Sequence, residues 1–394
     1  MRPVLPAAFA LMLAACTVPH PEAHPDRPAS IRIATYNVAL TDDAPGGVIA
    51  RLEAGDEAAR KVAAVIQGVR PDVLLINELD HDDALRAADL FQRDYLEVGQ
   101  FDQAPIRYPY RFATRVNTGE PSGLDLDGDG STDGPNDAWG FGRHPGQYAM
   151  LLLSRFPIDE GRARTFRFLR WSAMPDARRP LNPDGTPFHP DAIWQALRLS
   201  SKNHWDVSVA TPFGELHVLA SHPTPPAFDG PEGRNQARNH DEIRLFADYI
   251  SGGERADWIV DDAGLRGGLA DGARFVILGD QNADPNDGNS VGLGIRQLLE
   301  HPRVHPDPLP RGGGGGGAES AARDGGANLE HRGDPDLDTG AFGPRVGNLR
   351  VDYALPSRNV EVVGSGVFWP RADEPGHDWA EASDHRLVWV DIRW

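Results

Sequence analysis

Five times along this chain an apolar run of strand length ends at, or carries, a polar side chain. Asn37 lies near the end of Ile31–Leu40, Glu78 near the end of Asp72–Leu79, and His222 follows Leu216–Ser221. Asp280 and Asn282 follow Phe275–Leu278, while Asp352 interrupts Leu349–Leu355. A sixth run, closing at Asp391, is entered through Asp384 and His385. Continuous apolar strands belong to sheets covered on both faces, and alternating ones to half-covered sheets. Ile31–Leu40 alternates and reads as a half-buried first strand; Asp72–Leu79 and Tyr148–Ser154 read as covered strands. Asn is depleted in strand interiors, and a carboxylate at a buried strand end is costly unless paired or metal-bound. Any fold adopted by this chain must give those polar ends partners.

The richest of these segments is Phe275–Pro285. Gly279 breaks its apolar run, and Asp280, Asn282 and Asp284 then occupy every second position. In an extended segment Asp280 and Asn282 would project together. A carboxylate beside a carboxamide can accept a proton or ligate a cation while the amide hydrogen-bonds a phosphate oxygen. Taken alone, the segment reads more simply as an Asx-rich turn. Elsewhere, Arg51–Val69 predicts one amphipathic helix ending before Pro71, and Asn239–Ile250 predicts another. Alternation puts Leu216, Val218 and Ala220 on one strand face with His222 at its mouth, and Gly214 marks the hairpin turn after Val207–Ala210.

Two stretches read as insertions into a single domain spanning residues 31–394. Residues 115–147 carry Asp125, Asp127, Asp129 and Asp133, an Asp-x-Asp-x-Asp-Gly pattern that matches the opening half of a calcium loop. Position twelve is Asn136, followed by Asp137, where such a loop wants Glu. The expectation is a structural calcium site without flanking helices, with a solvated acidic turn close behind it. Residues 311–333 are Gly-rich, with six consecutive glycines from Gly312, and read as a mobile loop.

The formal charge of −19 argues against a protein that grips long nucleic acid by its phosphates, because that mode needs a basic surface. Only Arg162–Arg179, with Arg164, Arg167, Arg170, Arg178 and Arg179, is locally basic. Small or lipid-borne phosphate esters fit the charge at least as well as DNA. The only cysteine, Cys16, excludes internal disulfides. It follows a short apolar run, Val4–Ala15, that matches a signal-peptide core. Leu13-Ala14-Ala15-Cys16 resembles the bacterial lipobox, which implies a lipidated Cys16, a signal over residues 1–16 and a flexible tether over 17–30. The expectation is an exported monomer, lipid-anchored to a bacterial membrane in the periplasm or at the cell surface, touching the membrane only through that lipid.

Taken together, Thr35-Tyr-Asn37, Pro71–Glu78, Leu152-Leu-Ser-Arg155, Gly279-Asp-Gln-Asn282, Val351-Asp-Tyr353 and Ser383-Asp-His385 resemble the endonuclease/exonuclease/phosphatase superfamily. That superfamily includes secreted deoxyribonucleases, neutral sphingomyelinases and inositol-polyphosphate phosphatases. The resemblance spans Ile31 to Trp394. It implies a four-layer α/β sandwich: two packed mixed β-sheets flanked by helices, with the site at their common edge. It further implies metal-dependent hydrolysis of phosphate esters, a phosphodiester before a monoester, in a small molecule, a lipid headgroup or nucleic acid. The oxygen donors favour a hard cation, Mg²⁺ first, with Mn²⁺ or Ca²⁺ as alternatives.

By the same resemblance Glu78 is the principal metal ligand, with Asn37 and Asp384 nearby. His385 is the general base, held by a neighbouring carboxylate. Asp280 and Asn282 position the nucleophile and the phosphate, His222 serves the leaving oxygen, and Asp352 orients it. A His at position 222 fits the deoxyribonuclease and sphingomyelinase branches, since the apurinic-endonuclease branch usually has Tyr there. Two competing readings remain: an extracellular nuclease acting on DNA or RNA, which would need a long basic groove, and a non-catalytic lipoprotein that binds phosphate ligands.

Overall fold

The computed structural model describes residues 30–306 and 315–394. Cys16, the apolar run before it and the tether through residue 29 lie outside the described residues. The strands, in chain order, are β1 (Ile31–Leu40), β2 (Val73–Leu79), β3 (Tyr110–Phe112), β4 (Met150–Ser154), β5 (Ile158–Thr165), β6 (His204–Thr211) and β7 (Gly214–Ser221). They continue with β8 (Phe275–Asp280), β9 (Gly340–Ala341), β10 (Asn348–Leu349), β11 (Asp352–Pro356), β12 (Glu361–Val367) and β13 (Val388–Arg393). One sheet has six strands in the order β12-β13-β1-β2-β4-β3, and a second has five in the order β11-β8-β7-β6-β5. Both are mixed: β1 and β2 run parallel, as do β7 and β8, while the remaining neighbours are antiparallel.

Strand alternation divides the apolar residues between three layers. Ile31, Ile33, Val73 and Leu75 from one sheet meet Leu216, Val218, Ala220, Val276 and Leu278 from the other in a core between the sheets. The opposite side of β1 and β2 sends Ala34, Tyr36, Val38, Leu74 and Ile76 against α1 (Gly47–Glu53), α2 (Glu57–Val69) and α3 (Arg86–Leu90). On the far side, Leu219, Ile277, Tyr353 and Leu355 pack against α4 (Asp191–Ala196) and α5 (Arg234–Ser251). The result is the four-layer α/β sandwich that the resemblance implied.

Four local expectations need correction. β1 is buried along both faces rather than half-buried, because α2 covers the side that alternation left to solvent. The helix expected over Arg51–Val69 is two: Gly55 takes φ 84° and Asp56 caps α2 by accepting the Ala59 N–H at 2.9 Å. Gly279 does not end its strand. β8 continues to Asp280, and Gly279 (φ 139°) is needed because a Cβ there would stand 1.9 Å from the Ser221 carbonyl oxygen of the neighbouring strand. Within the glycine-rich stretch, a further helix, α6 (Gly316–Asp324), forms. A Cβ at Gly316 would lie 2.2 Å from the Trp369 carbonyl, so glycine lets this helix press against the chain beyond β12.

Candidate active site

The sheet topology brings the polar strand ends to one edge. Asp352, at the start of β11, lies directly opposite Asp280, at the end of β8. On the other sheet Asn37 is level with Asn77, one residue before Glu78. Asn37 bridges the sheets by donating from Nδ2 to Asp280 Oδ2 at 3.1 Å. Asn77 does the same from the other side: its Oδ1 accepts from Thr35 Oγ1 at 3.2 Å and from the Asp280 N–H at 3.3 Å. Glu78 holds a left-handed backbone (φ 60°), an unusual conformation for a non-glycine residue that turns it from the strand into the site.

Asp280 collects most of the other partners. The His222 Nε2 lies 3.4 Å from its Oδ2 and 3.8 Å from Glu78 Oε1, and His385 Nε2 lies 3.6 Å from the same Asp280 oxygen. Asn282 sits at φ 51°, donates its backbone N–H to Asp280 Oδ1 at 2.8 Å, and sends its amide to the Pro223 carbonyl at 3.1 Å. The Asx turn and the functional pairing are thus one structure, and the two side chains meet through the turn rather than by extended alternation. Asp284 is structural: its carboxylate accepts the N–H groups of Asn286, Asp287 and Arg350.

His385 is held at Nδ1 by Asp352 Oδ2, 2.9 Å away. Asp352 therefore orients His385 and not His222, which leans on Asp280 instead. Thr339 fixes Asp352 in turn, donating from Oγ1 to Oδ2 at 2.9 Å and accepting the N–H groups of Val351 and Asp352. Asp384 is exposed beside this group, and its carbonyl accepts the Ala341 N–H.

Burial acts on every ionisable group here. It lowers His222 to about 4, with Lys202 adding to the effect and Asp280 opposing it, so its imidazole is neutral at pH 7. Burial would also lower His385, but Asp352, Asp280 and Asp384 outweigh it and hold the imidazole well above its usual range. Asp280 is pushed up by burial, yet His385 and His222 carry it below the ordinary carboxylate range. Glu78 is raised, by burial first, against the positive charges of His385 and Lys202.

The donor set suits a hard cation. Ligand atoms of Asp280, Asp352 and His385 converge within 4.8 Å, and Asp352 Oδ1 is buried without a hydrogen-bond partner. An orphaned carboxylate oxygen facing a second buried acid, Asp280, is the kind of group a divalent ion satisfies. The second acidic cluster differs from expectation. Asp125 and Asp127 converge with Asp137, while Asp129 and Asp133 turn to local partners on Ser131. Asp125 and Asp137 already accept the N–H groups of Gly128, Gly130, Leu126 and Gly134, as an acidic turn does by itself. Asp137 joins through tertiary folding rather than through the loop pattern.

Four arginines of the basic segment are paired with acids. Arg164 pairs with Asp261, Arg167 with Glu120, Arg179 with Asp191, and Arg162 with Asp159 and Glu215. A cleft of about 490 Å³ opens beside the site, lined by Asp80 and His81 just past Glu78 and by Val48, Arg115, Val116 and His144.

Sequence reasoning misses three residues. Lys202 is 6 % exposed and feels Glu242, Glu78 and Asp280. Glu242, fully buried on α5, accepts the N–H of Ser201 at 2.5 Å and of Thr224 at 2.7 Å. Thr339 lies outside any strand. The only prior signal was Lys202 itself, a cation leading directly into an apolar strand.

Residues 34–385 match the family model described as the Endonuclease/Exonuclease/phosphatase family. No curated protein matches the chain. Among solved structures, an endonuclease/exonuclease/phosphatase from Beutenbergia cavernae DSM 12333 is 18 % identical, with 92 % of this chain and 71 % of that one covered and a TM-score of 0.50. Sphingomyelinase C from Streptomyces griseocarneus is 16 % identical, covering 92 % and 99 %, with a TM-score of 0.45. A Staphylococcus aureus beta toxin with bound magnesium ions is 14 % identical over the same shares, with a TM-score of 0.44.

Proposed function

Since the chain belongs to the endonuclease/exonuclease/phosphatase family and is a metal-dependent hydrolase of phosphate esters, we propose that its substrate is a phosphodiester in a small molecule or lipid headgroup. The observation that carries this reading is the Asp352–His385 pair facing Asp280, which already holds His222, Asn37 and Asn282. The site holds the acids Glu78, Asp280 and Asp352, so a monoanionic diester meets less repulsion there than a dianionic monoester. The paired arginines and the charge of −19 disfavour a long polyanion, hence the nuclease reading.

In this mechanism Asp352 holds His385 Nδ1, leaving Nε2 to take the proton of the attacking water. Asn282 and Asn37 orient Asp280 and hydrogen-bond the phosphoryl group. His222, neutral at pH 7, donates from Nε2 to the leaving oxygen rather than protonating it from an imidazolium. A divalent cation, Mg²⁺ first, would be held by Glu78 and Asp280 with Asp352 close by, and would supply Lewis-acid charge at the phosphoryl oxygen. His385 must be uncharged to act as a base; burial favours that form, while Asp352, Asp280 and Asp384 oppose it. The cleft beyond Glu78 gives room for the rest of the substrate. Lipid attachment through Cys16, which the Leu13-Ala14-Ala15-Cys16 pattern supports, would keep the enzyme on the outer side of a bacterial membrane.

The test uses protein lacking residues 1–16, assayed on bis-p-nitrophenyl phosphate, p-nitrophenyl phosphate, sphingomyelin and plasmid DNA with Mg²⁺, Mn²⁺, Ca²⁺ or EDTA. The expected result is metal-dependent diester hydrolysis that His385→Ala lowers by about 10²–10⁴-fold. Activity that survives both EDTA and His385→Ala rules out this mechanism, and preferential cleavage of DNA would favour the nuclease.

A further inference from the structure

Lys202 is a long cationic side chain buried at the edge where the two sheets meet, and no part of the mechanism above uses it. Its ammonium makes neither a hydrogen bond nor a close ion pair among the described residues, although the residue is 6 % exposed. A buried charge without a direct partner is costly, and a chain tolerates one where a ligand completes it. Its position is rigidly built. The Asn117 N–H donates to the Lys202 carbonyl at 2.9 Å, and the next residue, Asn203, caps the start of β6 by accepting the N–H groups of Phe166 and His204.

The pairing of His204 with Ser221 places Lys202 level with the residue after His222. That residue is Pro223, whose carbonyl accepts from the Asn282 amide. Glu242 locks both sides of this geometry: one carboxylate oxygen takes the Ser201 N–H and the other the Thr224 N–H. The lysine-bearing and histidine-bearing segments are thereby clamped side by side from α5. Burial lowers the Lys202 pKa, the negative charges of Glu242, Glu78 and Asp280 oppose that, and His222 in turn feels the lysine's charge.

We propose that Lys202 is a catalytic residue that binds a non-bridging oxygen of the scissile phosphate, and that Glu242 is the positioning residue that holds it beside His222. The assignment rests on the phosphoesterase reading. An ammonium aimed at the phosphoryl group from the His222 side stabilises charge gathering on the oxygens as the ester bond breaks, in a pocket where water is sparse. Its three donors suit an oxyanion that shifts during the reaction. The same charge discriminates among substrates: an anionic diester gains from it and a neutral triester does not.

The test compares Lys202→Gln and Lys202→Arg with the parent protein on two p-nitrophenyl esters, the anionic bis-p-nitrophenyl phosphate and a neutral dialkyl p-nitrophenyl phosphate. Inorganic phosphate binding is measured by calorimetry with and without Mg²⁺. Lys202→Gln should lose about 10²–10³-fold in kcat/KM on the diester and far less on the triester, as expected for one missing donor at a developing oxyanion. It should also weaken phosphate binding at least about tenfold, with Lys202→Arg retaining part of both. Glu242→Gln, which leaves Lys202 itself in place but weakens the clamp and removes one negative charge beside it, should lower kcat on the diester more than it raises KM.

Equal losses on the two esters, or unchanged phosphate affinity, overturn the proposal. So does tighter Mg²⁺ binding with phosphate binding unchanged, which would make Lys202 a placeholder for the metal. A parent protein that hydrolyses no phosphate ester defeats the phosphoesterase reading alone, and the phosphate titration still decides Lys202. If Lys202→Gln fails to fold by circular dichroism, Lys202→Arg carries the comparison.

Discussion

Asp338→Asn tests the electrostatics of the segment that supports the catalytic pair. Asp338 is 8 % exposed and immediately precedes Thr339, whose hydroxyl holds Asp352. Burial first, then the negative charges of Asp284, Asp287 and Asp334, push its carboxyl up from 3.8 to about 8, against Arg350. The unfolded chain releases this proton near pH 4, whereas the folded chain keeps it until about pH 8. The stability associated with the neutral form is therefore complete below pH 4 and is lost as pH rises towards 8. Each pH unit in that window changes stability by up to about 1.4 kcal/mol, giving a ceiling of about 4 kcal/mol between pH 5 and 8. Local relaxation and partial solvent access bring the expected value to about 2 kcal/mol. Roughly 360 ordered residues at about 2.1 cal/mol/K each convert this to a Tm difference of about 3 °C. Asparagine matches the shape and cannot ionise. Scanning calorimetry in EDTA, so that no cation screens the acids, should show Asp338→Asn gaining about 3 °C over the parent at pH 8 relative to its offset at pH 5. An offset that is the same at both pH values would falsify the assignment of a neutral, buried Asp338.

Thr339→Val leaves the Asp352 carboxylate and two buried N–H groups short of a partner, so a loss of about 2–4 kcal/mol in stability is expected. If Thr339 works through Asp352 and His385, kcat should also fall about 10–100-fold with KM nearly constant, and Thr339→Ser should restore both; a melting change without a kinetic one would leave it a structural residue. Gly279→Ala puts a methyl group 1.9 Å from the Ser221 carbonyl, and the expected outcome is loss of the folded protein on expression at 37 °C; a variant melting within about 1 °C of the parent would mean β7 and β8 can separate locally.

The parts of the site that were legible in the sequence and those that were not differ in the range of the interactions that make them. A polar residue at the end of an apolar run is a local signal, because the run reports a covered strand and the polar residue is out of place in it. Asn37, Glu78, His222, Asp280 and Asp352 were all readable in this way, and alternation put Leu216, Val218 and Ala220 on one face, which the structure packs between the sheets. Partnership among those residues was not readable, since which carboxylate faces His385 depends on β8 and β11 lying side by side with Asp280 opposite Asp352. Glu242 shows the limit most clearly. A glutamate on a helix is ordinarily solvated, and nothing within α5 marks this one as buried; it becomes a clamp only because two loops from other strands turn their N–H groups toward it. Lys202 follows the same logic. Its cost as a buried cation comes from burial and is offset by Glu242, Glu78 and Asp280, which lie 40, 124 and 78 residues away along the chain. The electrostatics around Asp280 therefore depend on contacts that no window of sequence contains, and the polar residues at the strand ends are joined by charges that only the folded sandwich brings to them.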